Sequence, residues 1–301
     1  MSPSPLNIEL LDGVACTVGE SPLWCARTLR WYWVDIVARA VWRHDPATGE
    51  SRSWQGAEMV ACIALDSDGG LIAGMESGIF HLQLDEKGDS FAARRLATPV
   101  ENLSGMRFND GRCDRQGRFW SGTMALDMAN APAVGNLYRY SAGQGLSAPV
   151  VSGLVTQNGL AWSPDGRTMY LSDSHASRQL IWAFDYDIDS GTPSAQRVFV
   201  DMNRHPGRPD GAAIDVDGCY WICANDAGML HRFTPEGTLD RSIVLPFAKP
   251  SMCSFGGADL STMLVTSISA GAPQSDLKAG SVALLRPGVA GMPEQRFGES
   301  A

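Results

Sequence analysis

The chain has 301 residues, of which 44% are hydrophobic and 19% charged, and its formal net charge at pH 7 is −9. An acidic chain without a cluster of Lys and Arg does not suit nucleic acid or an anionic membrane surface as a partner. No apolar run approaches the length of about 18 residues that a membrane span needs, and the first residues lack the charged and apolar segments of a signal peptide. The composition therefore predicts a cytoplasmic protein.

The cysteines are expected to be free thiols. There are seven, an odd number, with irregular spacing and no Cys-x-x-Cys pair. Without an export signal they would lie in a reducing compartment, where buried cysteines pack as small apolar side chains. Neither a disulfide framework nor a thiolate metal site is predicted.

The first predicted strand runs from Asn7 to Val14. Six segments that follow it resemble copies of one pattern, in which a short apolar stretch leads through a tight turn into a run rich in β-branched and aromatic residues. The turns are of the Asp-x-x-Gly or Ser-Pro-Asp-Gly kind, which local backbone requirements explain. When the second residue of each copy is taken as its reference point, successive points are 41, 48, 49, 52 and 44 residues apart. The reference residues are Cys25, Asp66, Asp114, Ser163, Asp215 and Asp259.

This period predicts a β-propeller. Repeats of about 40 to 50 residues belong to propellers and solenoids, and the sequence has no amphipathic helix long enough to build a helical solenoid. Further strand candidates, with polar and apolar residues alternating, begin at Ala40, Gly78, Gly135, Gln179 and Gly228. Four strands in each of six units predict an all-β, six-bladed propeller.

The chain ends fit the same architecture. Residues 1–301 are expected to form one domain, because no linker or low-complexity segment divides them. The N-terminal strand would complete the last blade and so join the two ends of the chain. Near the C-terminus, Gln295–Phe297 is a candidate edge strand.

One position of the repeat carries polar side chains. Equal offsets in a closed ring of repeats place residues at equivalent positions facing a common axis. Five residues before the reference points lie Glu20, Ala61, Asn109, Asn158, Asp210 and Ser254. Four of these, Glu20, Asn109, Asn158 and Asp210, have carboxylate or amide oxygens that would converge, whereas the small Ala61 and Ser254 would leave room for a substrate.

The converging oxygens suggest a metal site. Glu20, Asn158 and Asp210 form a hard, all-oxygen set that suits Ca²⁺, Mg²⁺ or Mn²⁺ better than a structural zinc ion. So few protein ligands would leave coordination positions open, as in catalytic metal sites. Arg107 lies two residues before Asn109, on the same strand face, where it would bind substrate hydroxyls or a developing oxyanion. The alternative readings are simple turns at each position and a surface salt bridge for Arg107.

A set of motifs covering nearly the whole chain resembles the regucalcin/gluconolactonase family. The motifs occur in order and at suitable spacing from about residue 14 to residue 285. They are Gly19-Glu-Ser-Pro22, Arg107-Phe-Asn-Asp-Gly111, Gly122-Thr-Met-Ala125, Asn158-Gly-Leu160, Tyr170-Leu-Ser-Asp-Ser174, Pro209-Asp-Gly211 and Phe255-Gly-Gly257.

The resemblance implies a metal-dependent lactonase that hydrolyses an aldono-1,4- or 1,5-lactone to the aldonic acid. It assigns the metal ligands to Glu20, Asn158 and Asp210. Arg107, Asn109 and Asp127 would contact the substrate, and Asp210 would also be the general base, with Arg107 and Asn109 stabilising the oxyanion.

The cofactor implied is one divalent ion, Ca²⁺ first, with Mg²⁺, Mn²⁺, Zn²⁺ or Fe²⁺ as alternatives. The expected partner is a small sugar lactone, with no nucleic acid, membrane or obligate protein partner. Three other functions remain open at this stage. They are a non-catalytic calcium-binding or regulatory propeller, a protein-interaction platform, and a metal-dependent hydrolase of another ester such as an organophosphate.

Overall fold

The computed structural model describes residues 6–99, 104–128 and 131–299. The strands of this part of the chain form six antiparallel sheets, five of four strands and one of five. Strand β1 (Ile8–Leu10) belongs to the last sheet. Blade I has β2 (Gly19–Cys25), β3 (Arg30–Asp35), β4 (Ala40–Asp45) and β5 (Glu50–Gln55). Blade II has β6 (Val60–Leu65), β7 (Leu71–Met75), β8 (Ile79–Leu84) and β9 (Phe91–Ala97).

The outer edge of blade III is divided between two short strands. This blade has β10 (Met106–Cys113), β11 (Phe119–Ala125) and β12 (Gly135–Ser141), with β13 (Gly145–Leu146) and β14 (Val151–Leu154) both pairing with β12. Blade IV has β15 (Gln157–Trp162), β16 (Thr168–Asp173), β17 (Leu180–Asp187) and β18 (Thr192–Asp201).

Blades V and VI complete the ring. Blade V has β19 (Arg208–Ile214), β20 (Tyr220–Asn225), β21 (Met229–Phe233) and β22 (Leu239–Val244). Blade VI has β23 (Pro250–Gly256), β24 (Thr262–Ser267) and β25 (Ala283–Leu285), and β1 is its outermost strand. The prediction of a six-bladed propeller with four-stranded blades is confirmed, as is the completion of the last blade by the N-terminal strand.

The innermost strands of the six blades form a closed ring. Strands β2, β6, β10, β15, β19 and β23 each contact the next in chain order, and β23 contacts β2. Apolar side chains fill the spaces between neighbouring blades; for example, Trp24 and Trp31 of blade I pack with Leu264 of blade VI. In the described residues the only helix is a 3₁₀ turn at Met202–Arg204, and none is long and apolar enough to cross a bilayer.

Two of the repeat turns show why an aspartate stands at the reference position. Asp114 accepts hydrogen bonds from the indole of Trp120 and from Arg118, at 3.1 and 2.6 Å. Asp215 accepts the corresponding bonds from Trp221 and Arg232, both at 2.8 Å. These buried carboxylates hold the turns together, which agrees with a structural explanation of the turn residues.

The segment after β25 differs from the prediction of an edge strand. Phe297 makes a single bridge to Asp66 instead of pairing along a strand. Backbone hydrogen bonds join Met292 to Ile214 and Phe297 to Leu65, so the segment crosses the end of the ring where the inner strands finish. The opposite end of the axis, where the inner strands begin, is not covered by this segment.

Candidate functional site

A cavity of about 120 Å³ lies at the end of the ring where the inner strands begin. Its lining includes five of the six residues that the sequence predicted for the site. They are Glu20, Arg107, Asn109, Asn158 and Asp210. They come from the inner strands of blades I, III, IV and V, so the ring brings together residues that are distant in the sequence.

A local irregularity of the inner strands directs these side chains to the cavity. In all six inner strands the pairing register shifts near this position, for example between Glu20 and Leu23 and between Asn158 and Ala161. Bulges of this kind bend a strand and re-aim its side chains. Ser21 has a φ of 51°, an unusual value for a residue with a side chain and one that often marks a functional site.

Glycine is required at the equivalent point of blade IV. Gly159 has a φ of 64°, and a Cβ atom there would lie 2.5 Å from both the Ser172 Oγ and the Tyr220 Oη. The Asn158-Gly159 pair is therefore more than a surface turn, because its glycine permits a backbone bend in a crowded interior.

Two carboxylates face the same cavity. Burial, followed by the nearby charges of Asp210 and Asp110, raises the pKa of Glu20 well above its usual value. Burial also raises the pKa of Asp210 to about 7, against the opposing effects of Arg208 and Asn225. Two acidic groups placed so close together in a buried site repel each other unless a positive charge or a proton compensates them.

Asn158 presents an oxygen atom that has no hydrogen-bond donor. Its Nδ2 donates to the Ser174 Oγ at 2.7 Å, whereas its Oδ1 is buried and unpartnered among the described residues. A buried carbonyl oxygen without a donor is costly, so this atom is well placed to accept a bond from a ligand or to bind a cation.

Arg107 lies inside the site and not in a surface salt bridge. Its Nη1 donates to the Oδ1 of Asn109 at 2.7 Å and to the Phe108 carbonyl at 2.8 Å. Burial lowers the pKa of Arg107 to about 10, while the charge of Glu20 opposes that shift. The Nδ2 of Asn109 in turn donates to the Gln157 carbonyl at 2.7 Å, so both side chains are held in place.

Three other predicted positions lie outside the cavity lining, namely Ala61, Asp127 and Ser254. Asp127 is exposed, two residues beyond the end of β11, and its assignment to the substrate stays a prediction. Ser254 was expected at the cavity, but it donates to Glu294 at 3.1 Å, and Glu294 belongs to the C-terminal segment. The reason is a register error in blade VI. Asp259 is the third residue after its inner strand, whereas Asp66 directly follows β6. Counting back five residues from Asp259 therefore reaches a residue two positions beyond the equivalent point of the strand.

The residues present fit a divalent cation. Glu20 and Asp210 supply negative charge, and the free Oδ1 of Asn158 supplies a neutral oxygen. Such hard oxygen donors suit Ca²⁺, Mg²⁺ or Mn²⁺. In residues 6–99, 104–128 and 131–299 no group of three His, Cys, Asp or Glu side chains is placed to bind a metal, so an amide oxygen would have to be part of the set.

The cavity lining also includes four polar residues outside the predicted set, namely Thr156, Ser174, Arg208 and Asn225. The Nδ2 of Asn225 donates to the Oδ2 of Asp210 at 2.6 Å. Arg208 bonds to Asp226 at 2.7 Å and to the Ser174 carbonyl at 3.3 Å. Ser174 is the last residue of one family-like motif, but nothing in the spacing of that motif shows what its hydroxyl contacts.

Residues 18–269 match the family described as the SMP-30/Gluconolactonase/LRE-like region. The chain belongs to this family. A 6-deoxy-6-sulfogluconolactonase of Pseudomonas putida is 38% identical over 252 residues, which cover 83% of each chain. A pentonolactonase of Haloferax volcanii is 31% identical, over 87% of this chain and 85% of the relative. The match confirms the family resemblance that the sequence motifs indicated.

Solved structures agree with this assignment. A luciferin-regenerating enzyme is similar to this chain with a TM-score of 0.91 at 26% identity, covering 97% of this chain and 99% of the other. The similarity extends over almost all of both chains, so the two proteins share the same fold.

Proposed function

We propose that this protein hydrolyses a sugar lactone, an aldono-1,4- or 1,5-lactone, to the aldonic acid with the help of one divalent cation. The observation that carries the proposal is the cavity itself, where two buried carboxylates, an unpartnered amide oxygen and a half-buried arginine meet. The sulfogluconolactonase and the pentonolactonase among the relatives support a lactone as the substrate.

The cation would be held by Glu20, Asn158 and Asp210, with Ca²⁺ the first expectation and Mg²⁺, Mn²⁺, Zn²⁺ or Fe²⁺ as alternatives. When bound, it supplies a Lewis acid that polarises the lactone carbonyl. The protein supplies the charge and the geometry that keep it there, because Glu20 and Asp210 lie near each other in a buried site.

Asp210 would act as the general base. The hydrogen bond from Asn225 occupies its Oδ2, so its Oδ1 would be the oxygen that serves both the cation and the attacking water. Asp210 would accept a proton from the attacking water, and this proton would pass to the ring oxygen as the carbon–oxygen bond breaks. A base of this kind contributes about 10² to 10⁴ in rate.

Arg107 and Asn109 would stabilise the charge that develops on the carbonyl oxygen. One bond from Arg107 fixes its guanidinium against Asn109, so its remaining N–H groups are pre-oriented beside Glu20. Donors that are already oriented need no rearrangement during the reaction, which is why they favour the transition state. Asp127 would contact substrate hydroxyls from the loop that follows β11.

The test is a lactone panel measured after chelation, with single metal ions restored. The panel includes glucono- and galactonolactone, pentonolactones, 6-deoxy-6-sulfogluconolactone, an unsubstituted lactone and an organophosphate ester. We expect metal-dependent opening of at least one sugar lactone. Tight Ca²⁺ binding without turnover of any ester would instead support a calcium-binding regulatory propeller, and turnover of the organophosphate alone would support the other hydrolase.

We also propose that the protein works in the cytoplasm. All seven cysteines are buried and unpaired, as expected in a reducing compartment. Detection of the protein in a periplasmic or culture fraction would contradict this location.

A further inference from the structure

Ser174 is a buried serine directly after the end of β16, at the junction of blades IV and V. Its hydroxyl has two partners on different blades. It donates to the backbone carbonyl of Pro209, and it lies 2.7 Å from the Nδ2 of Asn158. Both partners adjoin the proposed cation site, since Pro209 directly precedes Asp210 in the chain.

The two bonds have only one consistent arrangement of hydrogens. The Pro209 carbonyl can only accept, so the single proton of the Ser174 hydroxyl is committed to it. The hydroxyl can then only accept from Asn158, which means that the Nδ2 of this amide must face Ser174. The Oδ1 of Asn158 is therefore turned away from Ser174, where it is buried without a partner.

The opposite orientation of the amide would be unfavourable at both ends. The Oδ1 would face a hydroxyl oxygen that has no proton left to donate. The NH₂ group would point to the place where a cation needs an oxygen ligand, since a cation is not bound by an N–H donor. The same hydroxyl also fixes the backbone that carries Asp210.

We propose that Ser174 is a positioning residue that orients the Asn158 amide for cation binding and, through Pro209, places Asp210. This inference rests on the proposed function, because it assumes that a cation binds at these oxygens. Ser174 itself would not be a ligand of the cation, because its hydroxyl is engaged with Pro209 and Asn158. It would act in the way that hydrogen-bond partners of metal ligands act, by holding a ligand in the productive orientation.

The first experiment is a calorimetric titration of the chelated protein with Ca²⁺, for the wild type and Ser174→Ala. Loss of a residue that orients a metal ligand typically weakens metal affinity by about 10- to 100-fold, and we expect a rise of the Ca²⁺ Kd in this range. Ser254→Ala is the matched control. It also removes a buried serine hydroxyl, but one bonded to Glu294 at the other end of the ring, and it should leave the Kd unchanged.

Measuring Ca²⁺ affinity in an Asn158→Asp background distinguishes an effect on amide orientation from a general loss of structure. In Asn158→Asp both terminal atoms of residue 158 are oxygens, so turning the group over changes little. Ser174→Ala should therefore cost much less Ca²⁺ affinity in the Asn158→Asp background than in the wild type. If Ser174→Ala does not fold, Ser174→Cys, whose thiol is only a weak donor and acceptor, should show the same dependence on residue 158.

The outcomes distinguish this inference from the proposed function. An unchanged Kd in Ser174→Ala, or an equal loss in both backgrounds, would overturn the role of Ser174 while wild-type Ca²⁺ binding and lactone turnover still stand. Absence of divalent-cation binding in the wild type would overturn the proposed function and this inference together. Thermal unfolding of the chelated variants verifies that each one is folded.

Discussion

The Nδ2 of Asn225 donates a 2.6 Å hydrogen bond to the Oδ2 of Asp210, across the first two strands of blade V. Both side chains are buried, so the carboxylate keeps one defined orientation at the cavity. One of its oxygens, Oδ2, is thereby occupied. This relationship makes Asp210 the residue whose removal tests the proposed reaction most directly.

We expect Asp210→Ala to abolish lactone turnover and to weaken cation binding, because the variant loses a base and a charged ligand together. The loss in kcat should be at least about 10³-fold. Steady-state kinetics and Ca²⁺ titration measure the two effects separately. The matched control is Asp185→Ala, which removes an exposed aspartate paired with Arg197 and should behave as wild type. Near-normal turnover in Asp210→Ala would refute the assignment of the base.

Arg107→Met should separate turnover from cation binding. Removal of one pre-oriented donor to an oxyanion typically costs about 3 to 4 kcal/mol in transition-state stabilisation, and kcat should fall by about 10² to 10³. The Ca²⁺ affinity should stay the same or increase, because a positive charge near Glu20 is lost. Arg197→Met, at an exposed ion pair, is the control. A variant that loses Ca²⁺ affinity but keeps kcat would show that Arg107 supports the metal ligands instead.

Chelation should destabilise the protein and restored Ca²⁺ should stabilise it, because a bound cation offsets the repulsion between Glu20 and Asp210. At a free Ca²⁺ concentration about 100 times Kd, binding adds about 2.7 kcal/mol to the free energy of unfolding. The rise in Tm is measured by calorimetry across a Ca²⁺ series. The rise should disappear in Asp210→Ala, and a Tm that is independent of Ca²⁺ in the wild type would argue against a cation site.

Asp127→Ala should raise KM for polyhydroxylated lactones with little change in kcat. Loss of a hydrogen bond to a charged group costs about 1.5 kcal/mol, which corresponds to roughly a tenfold change in KM. An unsubstituted lactone offers no hydroxyl to this residue, so its KM should not change. An equal effect on both substrates would remove Asp127 from the substrate site.

Asp114→Asn should lower stability without affecting the site. The side chain of Asp114 is fully buried, and its carboxylate is paired with Arg118 at 2.6 Å. Breaking a buried pair of this kind typically costs about 3 to 5 kcal/mol. Urea unfolding measures the loss, and Ca²⁺ affinity should remain at the wild-type value. In contrast, Asp185→Asn at the exposed pair with Arg197 should give no measurable loss.

Most of the fold was predictable because each blade repeats the same local requirements. The tight turns recur, and the period of the turns equals the length of one blade. The error in blade VI has a local cause too. Asp259 is an aspartate like Asp66, but it occupies another position of its turn. Counting back five residues from Asp259 therefore selected Ser254, which does not line the cavity. Gln295–Phe297 looked like a strand, yet it lies across the end of the ring and makes an isolated bridge.

The site was predictable only in part. One offset from the turns is shared by Glu20, Asn109, Asn158 and Asp210. The bulges of the inner strands direct the side chains at this offset to the same cavity. Ser174 and Asn225 have no such signal, because a serine or an asparagine near the end of a second strand is an ordinary residue. Their roles arise from contacts across a blade or between blades.

The sequence by itself determined the six blades and the repeat position that carries polar side chains. Both depend on turn chemistry and on the alternation of polar and apolar residues, which are local properties of a few consecutive residues. Only the tertiary structure decided which side-chain oxygens of the site accept a hydrogen bond and which do not. The hydroxyl of Ser174 contacts Asn158 of its own blade and the carbonyl of Pro209, which lies 35 residues after Ser174 in the next blade. Only the packing of blade IV against blade V brings such groups within hydrogen-bond distance.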